Sequence, residues 1–186
     1  MSKCKVCRSE FVKRSMTHKC CTPACAEQWV AKENARKAAK RARAERMATT
    51  KAILNLEPIG YFEKKAEKAV NEYVRYRDFH LGCCSCDKPA TWDGKWNASH
   101  LRSVGAASAV RFHLWNIAKA CVQCNLNESG NLGEYLPRAI ARLGQDRVDW
   151  LYAQNKPARR SREYLERLAA VMRKKTRRIK KRLGIA

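Results

Sequence analysis

Eight of the ten cysteines in this 186-residue chain form two sets of four. Cys4-x2-Cys7 precedes Cys21-x3-Cys25, and Cys83-x2-Cys86 precedes Cys121-x2-Cys124. A two-residue gap lets one turn present both sulfurs to one ion, and four thiolates at tetrahedral reach suit a structural Zn²⁺. Cys20 competes with Cys21 by position; Cys21 is preferred because Cys21-Thr22-Pro23-Ala24-Cys25 has the form of half a small zinc knuckle. Cys84 is a spare, expected to pack as a small apolar residue. The insert between the second set's pairs, WNASHLRSVGAASAVRFHLWNIAKA, holds His100 and Asn116, and Asn125 follows Cys124 directly. A structural zinc site has no use for that ordered trio.

The order His100, Asn116, Asn125 with CxxC pairs on either side resembles the HNH nucleases, whose core is a ββα-metal unit held in some branches by a structural zinc. Cutting a phosphodiester needs a base to activate water, a cation to neutralise developing charge, and a brace for the base. The resemblance makes His100 the general base and Asn116 the brace of the loop and the base. It makes Asn125 an oxygen ligand of a catalytic Mg²⁺ or Mn²⁺, held in place because the zinc cage fixes the helix that carries it.

Over nearly the whole chain the sequence also resembles the NinG/Rap recombination proteins of lambdoid phages. The shared features are the N-terminal cysteine region, a basic helix, an aromatic–basic helix before Cys83, both CxxC pairs, and the string from Cys124-Asn125 to Ser129-Gly130-Asn131-Leu132. Such proteins are structure-specific endonucleases on branched DNA, including Holliday junctions and D-loops. The second zinc region is similar to that of phage endonuclease VII. Two departures stand out. HNH enzymes commonly carry Asp or His just before the base, where this chain has Ser99; the NinG-like pattern reads Asp-Ala-Gly-His, where this chain reads Asn97-Ala98-Ser99-His100. Glu128 stands where the related pattern has Lys. Spaced i, i+3 from Asn125 on a helix, it could restore the missing charge beside Asn97, and Asp93 is a second candidate.

With 40 basic and 17 acidic residues the formal charge is +23, a field that favours polyanions. No apolar run is long enough to span a bilayer, and MSKCKVCRSE does not open like a signal peptide. Clustered thiols then fit metal binding in a reducing cytoplasm, here that of a phage's bacterial host. Branched DNA is the expected partner. A non-catalytic DNA-binding recombination accessory protein, or an RNA- or ribosome-binding zinc protein, are the competing classes.

The elements that must position these groups read as an α+β, mostly helical chain with an HNH-like zinc core. Residues 1–25 form a zinc knuckle and 26–57 an exposed basic helix or partly disordered linker. Residues 58–133 combine an amphipathic helix (Phe62, Ala66, Val70, Tyr73, Val74) with the zinc core, and 134–186 form a basic helical region. Junction DNA is recognised by shape and phosphate position. The expected contacts are Arg102 and Arg111 near His100, and Arg173, Lys174, Lys175, Arg177, Arg178, Lys180 and Lys181 in the C-terminal arm. Two symmetric cuts imply a homodimer, with helix 61–79 either at its interface or covering the zinc core.

Overall fold

The computed structural model describes residues 1–185 and divides into two compact units, one ending at Glu57 and the other starting at Pro58. In the first, β1 (Ser2–Lys3) and β2 (Glu10–Phe11) pair antiparallel, Ser2 opposite Phe11. The chain then enters α1 (Pro23–Leu56) directly from the knuckle: the Thr22 side chain accepts from the Cys25 N–H, and Pro23 occupies the first turn, where its missing N–H costs nothing. α1 has no buried residue. At 1.5 Å per residue it extends roughly 50 Å, a continuous basic rod where the sequence alone left helix and partly disordered linker open.

The second unit is built on α2 (Ile59–Arg77). Phe62, Ala66, Ala69, Val70 and Val74 form its buried stripe, packed with Leu165, Ala169 and Met172 of α5 (Arg162–Leu183) and with Ile117 of the sheet. That sheet is one antiparallel pair, β3 (Trp96–His100) and β4 (Ile117–Cys121), registered Trp96 opposite Cys121 and His100 opposite Ile117. Both of its faces are covered. Ala98 and Ile117 pack in the α2–α5 cluster, while Ala118 packs with Tyr135 and Ala139 of α3 (Leu132–Leu143) and Val148 and Leu151 of α4 (Gln145–Ala153). The apolar stripe of α2 is therefore used within its own chain. Residues 134–185 do not stand apart, because α3 and α4 close one face of the sheet and α5 packs in the cluster on the other.

An acid–base lock joins these layers. Arg77 donates to both carboxylate oxygens of Asp78 at 2.7 Å and to the carbonyls of Leu114 and Ile117, and Asp78 also accepts from the Lys119 N–H at 3.2 Å. The end of α2 is thus tied to β4 and to the loop before it.

One expectation changes. After Cys121 the chain does not form an α-helix; residues Gln123–Asn127 make a single π turn, with the Glu128 N–H donating to the Gln123 carbonyl. Asn, Ser and Gly are weak helix formers. Ser129, Gly130 and Asn131 then follow in succession at positive φ (50°, 93° and 47°). The i, i+3 α-helical face assumed for Asn125 and Glu128 is therefore absent. Among the described residues, no helix is long and apolar enough to cross a membrane.

Candidate metal centres and active site

Each predicted cysteine set comes together. The sulfurs of Cys4, Cys7, Cys21 and Cys25 lie within 4.8 Å of one another, and so do those of Cys83, Cys86, Cys121 and Cys124. Backbone N–H groups prepare them for metal. Val6 donates to Cys4 Sγ at 3.5 Å, and Ser85 and Cys121 donate to Cys83 Sγ at 3.4 and 3.2 Å. The Val6 contact is the main reason the Cys4 thiol is held down at about 5. The Cys84 thiol, helped by those backbone donors, holds Cys83 at about 4. Neighbouring Cys7 pushes the Cys21 thiol up and burial pushes Cys86 and Cys124 up, so those ligands would be deprotonated by the metal itself. It is the convergence of four sulfurs in each set that fits zinc. Cys20 and Cys84 stay outside. The second knuckle also fixes a glycine: a Cβ on Gly82 would lie 2.4 Å from the Lys88 carbonyl oxygen, which accepts from the Cys83 N–H.

His100 closes β3, half-buried, and its Nε2–H donates to the Arg111 carbonyl at 2.9 Å. A carbonyl can only accept, so this contact assigns the proton to Nε2 and leaves Nδ1 as the acceptor. Burial lowers the His100 pKa below the ordinary imidazole value, partly countered by the Arg111 carbonyl and Glu67. The neutral, basic form is therefore favoured near pH 7.

Asn116 braces the connection between the strands. Fully buried, its side chain accepts from the Arg102 N–H at 2.8 Å and donates to the carbonyls of Arg102 (3.0 Å) and Val110 (3.2 Å). The carbonyl it holds at Val110 is the neighbour of the one that holds His100.

Beside His100 lies a cleft of about 270 Å³, walled by Leu101, Arg102, Ser103, Ala106, Ser129, Gly130, Leu132 and Tyr152. Neither Asn125, Asn97 nor Glu128 is in that wall. Asn97 precedes His100 by three residues, so the pleat turns it to the opposite sheet face. Glu128 is exposed and accepts from Gln123 Nε2 at 3.3 Å. No carboxylate lines the cleft, and among the described residues the two Cys₄ sets are the only clusters of three or more metal-binding side chains. Magnesium is usually held by one or two carboxylates with substrate phosphates. The residues around His100 do not fit a preassembled site for that ion.

Both arginines expected at the scissile phosphate already have partners. Arg111 reaches Glu63 and Glu67, each at 3.0 Å, from one turn of α2 to the next. Arg102 caps α4 through the carbonyls of Leu151 and Tyr152 at 2.9 Å. These contacts tie the loop around His100 to α2 and α4. Ser129 and Tyr152 were missed as cleft residues. The Ser129-Gly130-Asn131 composition announces a turn, but nothing in local spacing could bring Tyr152 to His100 from fifty positions away.

On α5, Arg173, Lys174, Lys175, Arg177, Arg178 and Lys181 are exposed. Lys180 is partly withdrawn, paired with Glu72 at 2.8 Å and lying over the Tyr76 ring. These cations form the unit's exposed basic face.

A family model described as "Bacteriophage Lambda NinG protein" matches residues 1–182. The chain belongs to the NinG family. NinG relatives include Protein ninG of Escherichia phage lambda, 44% identical over 96 residues, covering 52% of this chain and 46% of the relative. Protein ninG of Escherichia phage 933W is 44% identical over 96 residues, 52% and 47% of the two chains. Protein ninG of Salmonella phage P22 is 41% identical over 103 residues, 55% and 50%. The matched NinG segments thus span about half the length of these relatives. No solved structure matches the chain.

Proposed function

We propose that this NinG-family chain is a structure-specific DNA endonuclease acting on branched intermediates such as four-way junctions, with His100 as general base. The observation that carries this reading is the His100 Nε2–H bond to the Arg111 carbonyl beside an open cleft. It leaves Nδ1 with a free lone pair to take a proton from water, and burial keeps the ring neutral. Asn116 holds the loop that presents the carbonyl, and the Cys83–Cys86–Cys121–Cys124 cage anchors the end of β4. The exposed cations of α1 and α5 supply sequence-independent attraction to phosphates. Paired cuts across a junction require two copies of the site, so the active species is a homodimer. It works in the host cytoplasm.

A second reading is a non-catalytic binder of branched DNA, favoured by the lack of a carboxylate in the cleft. The test incubates labelled four-way junction and matched linear duplex with the protein, with Mg²⁺, Mn²⁺ or no divalent ion added. Nicks near the branch, absent from the duplex, support the nuclease. Tight junction binding with no nick under any condition supports the binder and rejects catalysis.

A further inference from the structure

A second groove, of about 310 Å³, lies at the far end of α2 from Glu63 and Glu67, where the helix meets the start of β3. Tyr76, Phe79 and Trp96 line it with Arg75 and Lys119. None of these residues belongs to the His100 cleft. Its floor is a cation held on an aromatic ring: Lys119 Nζ stands 4.1 Å from the Trp96 centroid and donates to the Phe79 carbonyl at 3.1 Å. Tyr76 also carries a cation, Lys180 at 4.6 Å. Phe79 differs. It is 42% exposed and makes an edge contact with His80, and among the described residues no cation sits over its ring. The one carboxylate in the wall, Glu72, is paired with Lys180 at 2.8 Å.

The exposed Phe79 ring shares its groove with Arg75 and Lys119, on a chain of +23. A neutral apolar partner would gain nothing from Arg75 and Lys119. A nucleobase attached to a phosphate chain would use both the ring face and the cations, the pairing by which single-stranded nucleic acid is held. Bases in an intact duplex are stacked on their neighbours and cannot reach such a slot.

We propose that this groove captures an unpaired DNA base, stacked on Phe79, with Lys119 facing its acceptor edge and Arg75 meeting the adjoining phosphate. The proposal rests on the DNA reading above and deepens it: the chain selects DNA with unpaired nucleotides at the branch. Trp96 and His100 are four residues apart on one strand, about 13 Å at the usual rise, so capture and cutting are separate sites on one hairpin.

The test measures binding in the His100→Ala background, without added divalent ion, so that it does not depend on cutting. The probe is 2-aminopurine placed unpaired at the branch point of a forked DNA, with the fully paired duplex as control. Stacking quenches its fluorescence on binding. Phe79→Ala is expected to abolish the quench and weaken the fork about tenfold while leaving duplex affinity unchanged, since one base–aromatic stack is worth about 1–3 kcal/mol. Phe79→Tyr should keep both, and Phe79→Leu, which retains apolar area without the ring, should behave like Phe79→Ala. Equal affinities of all variants for the fork, or equal losses on fork and duplex, would overturn the proposal. Fork-selective loss in a protein that never nicks DNA would uphold the groove and reject the nuclease.

Discussion

In the proposed nuclease, His100 is where a small number of atoms decide the chemistry. If Nδ1 is the base, nicking should rise with pH through a pKa below about 6.5, the ordinary imidazole value, and then level off. Single-turnover rates from pH 5 to 8 would show this, and a rate falling across that range would exclude His100 as base. Stability follows the same group. Its folded pKa is depressed, so the unfolded chain binds more protons between the two values. The contribution is present above about 6.5 and lost as pH falls toward the folded pKa. Asn116→Ala should destabilise the fold by about 2–4 kcal/mol by leaving the Arg102 N–H and the Arg102 carbonyl unpaired, while the Val110 carbonyl keeps the His113 N–H, measurable as a shifted denaturant midpoint with unchanged slope. The two cysteine sets were legible in the sequence because their ligands lie in fixed spacings. The roles of Arg102 and Arg111 were not. Near a histidine a basic residue reads as a phosphate contact, and only the fold shows that Glu63, Glu67 and the end of α4 take both first.

Among the elements, α2 and the β3–β4 hairpin work as one device. Glu63 and Glu67 hold Arg111, and the Arg111 carbonyl holds His100. Arg111→Ala should therefore slow nicking about tenfold to a hundredfold, since small misplacements of catalytic groups cost that much, while junction affinity changes less than threefold. A loss confined to affinity would return Arg111 to phosphate binding. The zinc cages can be tested separately. Metal release should yield two Zn²⁺ per chain; Cys83→Ser should lose one and lower the melting of the α2–α5 core, whereas Cys4→Ser should lose the other and leave that melting in place. The amphipathic stripe of α2 was legible because it follows helical period, but whether it met a second copy or its own zinc core was not. The π turn was hidden for another reason. Residues after a metal-binding CxxC obey the cage and the following left-handed run rather than helix propensity, so the expected α-helical face for Asn125 and Glu128 never forms.

For the whole molecule, charge is the governing quantity. Each phosphate neutralised contributes about 0.9 to the slope of log affinity against log salt. Replacing Arg173, Lys174, Arg177 and Lys181 by Gln should reduce that slope by roughly 2–4 on junction and duplex alike, since these cations attract without reading sequence. The +23 charge pointed to this in the sequence; which cations stay outside, and that Lys180 is drawn back to Glu72, required the packing of α5 on α2. The central claim remains that a neutral imidazole at the end of β3 cuts DNA at a branch. The measurement that tests it most directly compares the chain with His100→Ala on a pre-bound, end-labelled four-way junction. The account predicts nicks near the branch from the unaltered chain and at least a hundredfold slower nicking from His100→Ala at equal junction affinity. Equal rates from both would contradict it.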